Sequence, residues 1–345
     1  MTVTASAVPR GAGLRASAEP LVTAYDVALL DLDGVLYLDG HAVPHAVEAV
    51  AAARAAGQGR AFVTNNALRT PEEVAQRLTA IGVRTDASEI VTSAQAAARE
   101  AAARVPAGSR VLVCGGAGLV AAIAERGLVA VATADDDAVA VTTGYDPTLD
   151  YARLAEAALA LRAGAPWIAS NTDATVPTHR GQLPGAGATV AFLSTASGRR
   201  PDVVAGKPHP ALHHESVLRT GSERPLIVGD RLDTDIDGAL TAGVDSLLVL
   251  TGVTALADLL LAGPRPTFIA PDLRGLLTAH PDPHATGWTV QRDGDVLHAT
   301  APDRPRGGDD GLDGWRSVLS VVWADAERGV PTRDVVGVAA RADGS

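Results

Sequence analysis

Val27-Ala28-Leu29-Leu30-Asp31-Leu32-Asp33-Gly34-Val35 is the stretch from which the rest of the chain can be read. A short apolar run bounded by a turn signal is the pattern of a strand buried on both faces. Val27 to Leu30 fits it, and the run ends at Asp31. Three further runs end in polar groups of similar kind. Arg60 to Val63 leads into Thr64-Asn65-Asn66. Val203-Val204-Ala205 leads into Gly206-Lys207-Pro208. Leu226 to Gly229 leads into Asp230-Arg231-Leu232-Asp233-Thr234-Asp235-Ile236. In open α/β sheets, ligands bind just beyond the carboxyl ends of the strands. Several carboxylates and one lysine therefore fall where a ligand is expected.

Between and around these runs, apolar segments alternate with helical patterns, the signature of βαβ units and a parallel sheet. Thr70, Pro71 and Glu73 spell the start of a helix, with Thr70 as N-cap, Pro71 at N1 and Glu73 closing a capping box; Gly82 suits its C′ position. A second set of short runs fills the middle of the chain. Arg110 to Cys114, Ala138 to Thr142 and Trp167 to Ser170 read as strands. Gly118 to Arg126, Asp150 to Ala163 and Gly187 to Ser194 read as helices. After about residue 280 the grammar changes. Pro281 to His284 and Pro302 to Gly308 read as loops, Trp288 to Ala299 as a hairpin around Asp293-Gly294, and Leu312 to Ala326 as a helix.

The expected fold is α/β, with a Rossmann-like parallel-sheet core, an inserted α/β cap domain and a small α+β C-terminal extension. The expected divisions are a flexible tail at 1–22, a first core segment at 23–91, the cap at 92–202, a second core segment at 203–280 and the extension at 281–345.

Composition narrows the function. The 345 residues carry a formal charge of −11, which opposes a nucleic-acid partner. No run approaches the roughly 18–20 apolar residues of a membrane span, and residues 1 to 20 do not read as a signal peptide. The single cysteine, Cys114, cannot form an internal disulfide. A cytoplasmic protein without membrane insertion is expected.

Clustered carboxylates repel one another, and a hard divalent cation relieves that repulsion. Mg²⁺ prefers oxygen ligands, and it would also screen an incoming phosphate. Asp31 and Asp33, two residues apart, can face one pocket and divide the work. One attacks phosphorus; the other protonates the leaving oxygen and later activates water. Thr64 and Asn65 offer donors to phosphoryl oxygens, and Lys207 offers a point charge. Each motif alone has an ordinary explanation: a turn for Asp-x-Asp-Gly or Thr-Asn-Asn, a solvated loop for Gly-Lys-Pro, an N-cap for Gly-Asp. Four in order, each ending an apolar run, point to phosphoryl transfer.

These four motifs resemble those of the haloacid dehalogenase superfamily. The Thr-Asn-Asn and Gly-Asp-x-x-x-Thr-Asp-Ile versions are similar to its large-cap subgroup, which includes 4-nitrophenylphosphatase, phosphoglycolate phosphatase and pyridoxal-phosphate phosphatase relatives. The resemblance covers about residues 24 to 280. It implies a Mg²⁺-dependent phosphomonoester hydrolase with Asp31 as nucleophile and Asp33 as acid/base. It implies a metal held by Asp31, the backbone carbonyl of Asp33 and Asp230, with Asp235 supporting the metal and the lysine. Thr64 and Lys207 would hold the phosphoryl group, with Asn65 and Asn66 beside them. The cap loop Asn171-Thr172-Asp173-Ala174-Thr175-Val176-Pro177, followed by Gly185-Ala186-Gly187, would set specificity, with Asn171 and Asp173 as candidates. Pyridoxal-phosphate relatives carry a histidine where this chain has Val176, which argues for a smaller substrate. Cap-mediated dimers occur in the family, so a homodimer is allowed.

A chain of this type with a short acetyltransferase-like extension further resembles a mycobacterial group of glycerol 3-phosphate phosphatases, which implies glycerol 3-phosphate as substrate and a place in glycerophospholipid metabolism. Phosphoglycolate, nucleotide monophosphates and sugar phosphates are the alternatives. The extension lacks an Arg/Gln-x-x-Gly-x-Gly/Ala loop for coenzyme A and is expected to be structural or an interaction surface. Two rival readings come from other classes. Gly116-Ala117-Gly118-Leu119-Val120-Ala121 with Asp135 resembles a dinucleotide fingerprint and would make the chain an oxidoreductase. A catalytically silent binding protein would have lost Asp31, which is present. His209, His213 and His214 could hold zinc, but polar positions of a helix after Lys207 explain them as well. Cys114 reads as a small buried hydrophobe, and Trp167 and Trp288 as packing residues.

Overall fold

The computed structural model describes residues 11, 13–178 and 180–338. They form two compact units, one within 1–60 and 222–345, the other spanning 61–221.

In the first unit, Val27–Leu30, Pro225–Gly229, Asp245–Val249 and Phe268–Ala270 form a parallel set. Leu30 pairs with Val228, Val228 with Leu247, and Leu247 with Phe268. Val27–Leu30 is buried throughout, as expected of a strand covered on both faces. The arrangement is α/β, and parallel register puts the carboxyl ends of Val27–Leu30 and Pro225–Gly229 side by side. Asp31 and Asp230 follow those two ends directly.

The second unit holds a parallel pairing of residues 62–64 with Ile90–Thr92, from Phe62 with Ile90 to Thr64 with Thr92. It also holds a five-stranded parallel sheet, in the order Val203–Val204, Trp167–Ala169, Ala140–Thr143, Arg110–Cys114, Val129–Val131. Helices Tyr151–Arg162 and Ala186–Ser197 pack on this sheet around Leu112, Val141, Leu161, Trp167 and Leu193. Cys114 is buried there, and burial pushes its thiol up to about 12. The helix after Thr64 is Pro71–Ala80. Its Thr70–Glu73 capping box is complete, and Gly82 just past its end takes φ +99°, a value that favours glycine.

The ends of Ala140–Thr143, Ala117–Glu125 and Asp313–Glu327 lie within two residues of those expected, while the helix expected at Gly187 to Ser194 runs on to Ser197. Several strands were not anticipated, among them Ile90–Thr92, Val129–Val131, Phe268–Ala270, Thr175–Thr178 and Asp334–Val336. Thr175–Thr178 pairs antiparallel with Gly181–Pro184, so the expected specificity loop is half hairpin. Asp334–Val336 joins the hairpin Thr289–Asp293/Val296–Thr300 as a third strand, parallel to its second.

The expected flexible tail is corrected for residues 13–22. Residues 1–10 and 12 lie outside the described residues. From Gly13 onward the chain is tied to the first unit: Arg15 N–H donates to Thr267 O, Ser17 pairs with His280, and Leu21 is fully buried. An isolated leucine and serine carry no periodic signal, so their distant partners were invisible in sequence.

Candidate active site

Strand ends in the first unit bring acidic side chains together. Asp31, Asp230 and Asp235 each offer a carboxylate oxygen, and the three oxygens lie within 4.8 Å of one another. Asp230 and Asp235 are buried; Asp31 is partly exposed. Such a set, all hard oxygen, suits Mg²⁺ by ligand type.

The backbone around Asp230 is built for close approach. Its Oδ2 accepts from Val253 N–H at 2.7 Å, and its carbonyl accepts from Thr254 N–H at 3.1 Å. A Cβ on Gly252 would lie 2.0 Å from Asp230 Oδ2, and one on Gly34 would lie 2.5 Å from it. Gly34 also sits at φ +80°, so glycine is required there on two counts. Thr251 Oγ1 ties the two loops by donating to Gly34 O at 2.6 Å. Gly252 and Val253 were missed in the sequence. The signal was the Thr251-Gly252 pair just after the strand Asp245–Val249.

Asp235 lies in a wide turn, Leu232–Ile236, in which Ile236 N–H reaches back to Arg231 O. Its Oδ2 accepts from Arg231 N–H at 3.1 Å. A Cβ on Gly229 would lie 2.2 Å from the Asp235 side chain, so Gly229-Asp230 is more than an N-cap signal. Asp33 is exposed and lies beside Tyr37, whose hydroxyl donates to Asp33 Oδ2 at 3.4 Å.

The second unit gathers the other expected residues. Thr64 and Lys207 are buried. Asn65 was expected to donate to phosphoryl oxygens, but its described bonds are to the protein itself. Its Oδ1 accepts from Lys207 N–H at 2.8 Å. Its Nδ2 donates to Lys207 O at 3.2 Å and to both Asp173 carboxylate oxygens at 3.3 Å. Asn171 Nδ2 donates to Asn65 O at 2.7 Å, and Asn171 Oδ1 accepts from Asp173 N–H. The candidate cap residues Asn171 and Asp173 are thus bonded to the Thr-Asn-Asn segment. Asn66 Oδ1 accepts from Leu68 and Arg69 N–H groups, the habit of an Asx turn.

His213 is buried in the helix Pro210–Thr220. Burial, helped by the charges of Lys207 and His214, lowers its pKa to about 3, so it is neutral at physiological pH. Among the described residues, no group of three metal-capable side chains includes a histidine, which removes the zinc reading. The dinucleotide reading also yields. A Cβ on Gly118 would meet Arg69 O at 2.3 Å, and one on Gly116 would meet Leu68 at 2.4 Å. These glycines admit the protein's own chain where a pyrophosphate would have to lie. No helix among the described residues is long and apolar enough to cross a membrane.

Residues 28–129 match the haloacid dehalogenase-like hydrolase family, and residues 204–276 match a HAD-hydrolase-like family. The chain is 44% identical over 310 residues to D-glycerol 3-phosphate phosphatase of Mycobacterium tuberculosis, covering 87% of this chain and 86% of that protein. It is 35% identical over 256 residues to acid sugar phosphatase of Staphylococcus saprophyticus, covering 73% of this chain and 97% of that protein. The crystal structure of the M. tuberculosis glycerol phosphate phosphatase in complex with magnesium superposes with a TM-score of 0.83 at 42% identity, covering 92% of this chain and 95% of that one. The chain belongs to the haloacid dehalogenase-like hydrolases.

Proposed function

We propose that this protein is a cytoplasmic phosphatase that hydrolyses glycerol 3-phosphate in a Mg²⁺-dependent reaction. The observation that carries the substrate is the reach of the likeness. Similarity to the M. tuberculosis glycerol 3-phosphate phosphatase spans 87% of this chain, whereas the acid sugar phosphatase matches only 73% of it while using 97% of its own length. A sugar phosphate is the second reading, favoured by that 35% identity.

In this reading the core comprises 23–91 and 203–280, the cap 92–202 and the extension 281–345. Asp31 attacks phosphorus and carries the phosphoryl group as an aspartyl phosphate. Asp33 protonates the departing glycerol oxygen, then takes a proton from the water that releases phosphate. The carboxylates of Asp31 and Asp230 and the backbone carbonyl of Asp33 would hold Mg²⁺, supported by Asp235. The ion supplies charge neutralisation between an anionic nucleophile and an anionic ester. Thr64 and Lys207 hold phosphoryl oxygens. Asn65 fixes Lys207, while Asn66 shapes the turn. Asn171 and Asp173 belong to the segment that reads the alcohol. The partner is a small phosphorylated metabolite, with neither nucleic acid nor a membrane involved, and a homodimer is compatible with it.

The test is phosphate release from a panel of glycerol 3-phosphate, phosphoglycolate, nucleotide monophosphates and sugar phosphates with Mg²⁺. We expect the highest kcat/KM for glycerol 3-phosphate. A sugar phosphate preferred by tenfold or more would replace this substrate with the second reading.

A further inference from the structure

We propose that the C-terminal extension is a clamp on the metal-binding carboxylates, and that Trp323 and Leu319 act as positioning residues for divalent-cation binding. This rests on the reading of Asp31, Asp230 and Asp235 as a cation site.

The extension does not hang free of the first unit. Helix Asp313–Glu327 and strand Val296–Thr300 contribute Leu297, Trp315, Val318, Leu319, Val322 and Trp323 to one buried apolar cluster. The same cluster takes in Ile236, Leu256 and Leu259, with Leu232 packed against it. Those four residues sit on the two backbone segments that hold the carboxylates. Leu232 and Ile236 bracket the wide turn that contains Asp235, whose side chain accepts from Arg231 N–H. Leu256 and Leu259 lie in the helical turn immediately after Thr251-Gly252-Val253-Thr254, the loop whose N–H groups hold Asp230.

Directed bonds fix the same join. Trp323 Nε1 donates to Leu259 O at 2.9 Å, in the turn that follows the Asp230 loop. Arg316 Nη2 donates to Ile269 O at 2.9 Å on the neighbouring strand, while its other groups are held by Asp310 and Asp313. The Arg265 guanidinium lies 5.3 Å from the Trp323 ring and pairs with Glu327.

Metal sites depend on the groups that orient their ligands as well as on the ligands. Loosening Asp230 or Asp235 by a fraction of an ångström weakens a cation that demands near-ideal octahedral geometry. The acid sugar phosphatase matches nearly all of its length to 73% of this chain. A hydrolase of this family therefore does not need a region as long as the extension. In this chain the extension fills the apolar side of both loops, so the cation site depends on it.

The experiment titrates Mg²⁺ into EDTA-stripped full-length protein by calorimetry and measures kcat at saturating Mg²⁺. The variants are Trp323→Phe, Leu319→Ala and, as a control for general destabilisation, Leu112→Ala in the sheet of the other unit. Trp323→Phe and Leu319→Ala should weaken Mg²⁺ at least fivefold, with kcat at saturation within twofold of wild type. Leu112→Ala should lower the melting temperature and leave Mg²⁺ affinity unchanged. If Leu319→Ala does not fold, Trp323→Phe decides alone. Melting losses with unchanged Mg²⁺ affinity in the extension variants, or an equal loss of affinity in Leu112→Ala, overturn the clamp. Asp230→Asn separates the underlying reading: Mg²⁺ binding equal to wild type there refutes the cation site itself, whatever the extension variants do.

Discussion

Replacing Asp31 with Asn should kill turnover and, in the absence of Mg²⁺, make the protein more stable. The two effects have one cause. The carboxylate oxygens of Asp31, Asp230 and Asp235 lie within 4.8 Å of one another. Two unit charges at that distance repel by about 3.5 kcal/mol at an effective dielectric of 20. Asp31→Asn removes two such pairs. The gain is capped, because a carboxylate of ordinary acidity can be protonated at pH 7 for about 4 kcal/mol instead. Asp31 is also partly exposed, and water screens it. A gain of about 1–2 kcal/mol in the metal-free protein is therefore expected, read as an upward shift of a few degrees in melting temperature. Added Mg²⁺ should stabilise wild type strongly and the variant weakly. Turnover should fall by several orders of magnitude, because an amide cannot form the phosphoenzyme. Fluorimetric melts in EDTA and across a Mg²⁺ titration, beside phosphate release, measure all three. A metal-free variant that melts below wild type and gains as much from Mg²⁺ would falsify the carboxylate-repulsion account; activity within tenfold of wild type would remove Asp31 as nucleophile.

Three other outcomes follow from particular contacts. Asn65→Asp keeps the acceptor for Lys207 N–H but turns an oxygen toward Lys207 O and the Asp173 carboxylate. We expect kcat/KM to fall by about 10²-fold, as misplacement near a reacting group does, and a loss under threefold would show that the amide does not position Lys207. Glu215 is buried among Arg99, Arg126 and Arg219. Burial pushes its carboxyl up, but the bonds from Arg99 and Arg219 and the nearby guanidinium charges outweigh this and hold it below the usual value. Its contribution is therefore present at neutral pH and is lost as pH falls through the lowered folded value. Glu215→Gln should cost about 2–3 kcal/mol at pH 7, since the arginines reach solvent and rehydrate. The gap to wild type in urea melts should narrow in acid; a gap that widens instead contradicts the pairing. Cys114, buried with its thiol near 12, should resist Ellman's reagent in the native protein and react fully in guanidinium; stoichiometric native labelling within minutes would contradict that burial.

The parts of the site that were legible in sequence were those where local chemistry and backbone geometry coincide. A buried strand must be apolar along its length, so Val27–Leu30 and Pro225–Gly229 announced themselves, and the first polar residues after them marked their carboxyl ends. The Thr70–Glu73 capping box was legible because both partners lie within one turn. What escaped depends on partners distant in the chain. Strand Gly181–Pro184 is exposed along its length, so no alternation of apolar and polar residues marked it. Asp334–Val336 is three residues long and exists through pairing with Val296–His298. Gly252 is an ordinary turn glycine until Asp230, 22 positions earlier, is seen to leave no room for a Cβ. Asn65 shows the same limit from the other side. Its type and place were noticed, but its bonds to the backbone of Lys207, 142 residues away, could not be read from the sequence.

Those bonds bear on how a lysine can serve phosphoryl transfer at all. A lysine ammonium stands on four rotatable carbons and is a point charge with no preferred approach. Ordering such a stem costs on the order of 1.5–2 kcal/mol of rotamer freedom, and a loosely anchored backbone would add to that. Here one amide side chain grips both the N–H and the C=O of Lys207, and the side chain is buried before any substrate arrives. Much of the ordering is thus done on folding, which leaves binding energy for the transferring group. Asp230 is held in the same manner, by Val253 and Thr254 N–H groups from a loop whose glycine lets it approach. In both cases the charged group is common and the backbone around it is not. A chain with Asp and Lys at the same positions but with a bulkier residue at Gly252, or without the amide of Asn65, would carry the motif letters and lose the geometry they require.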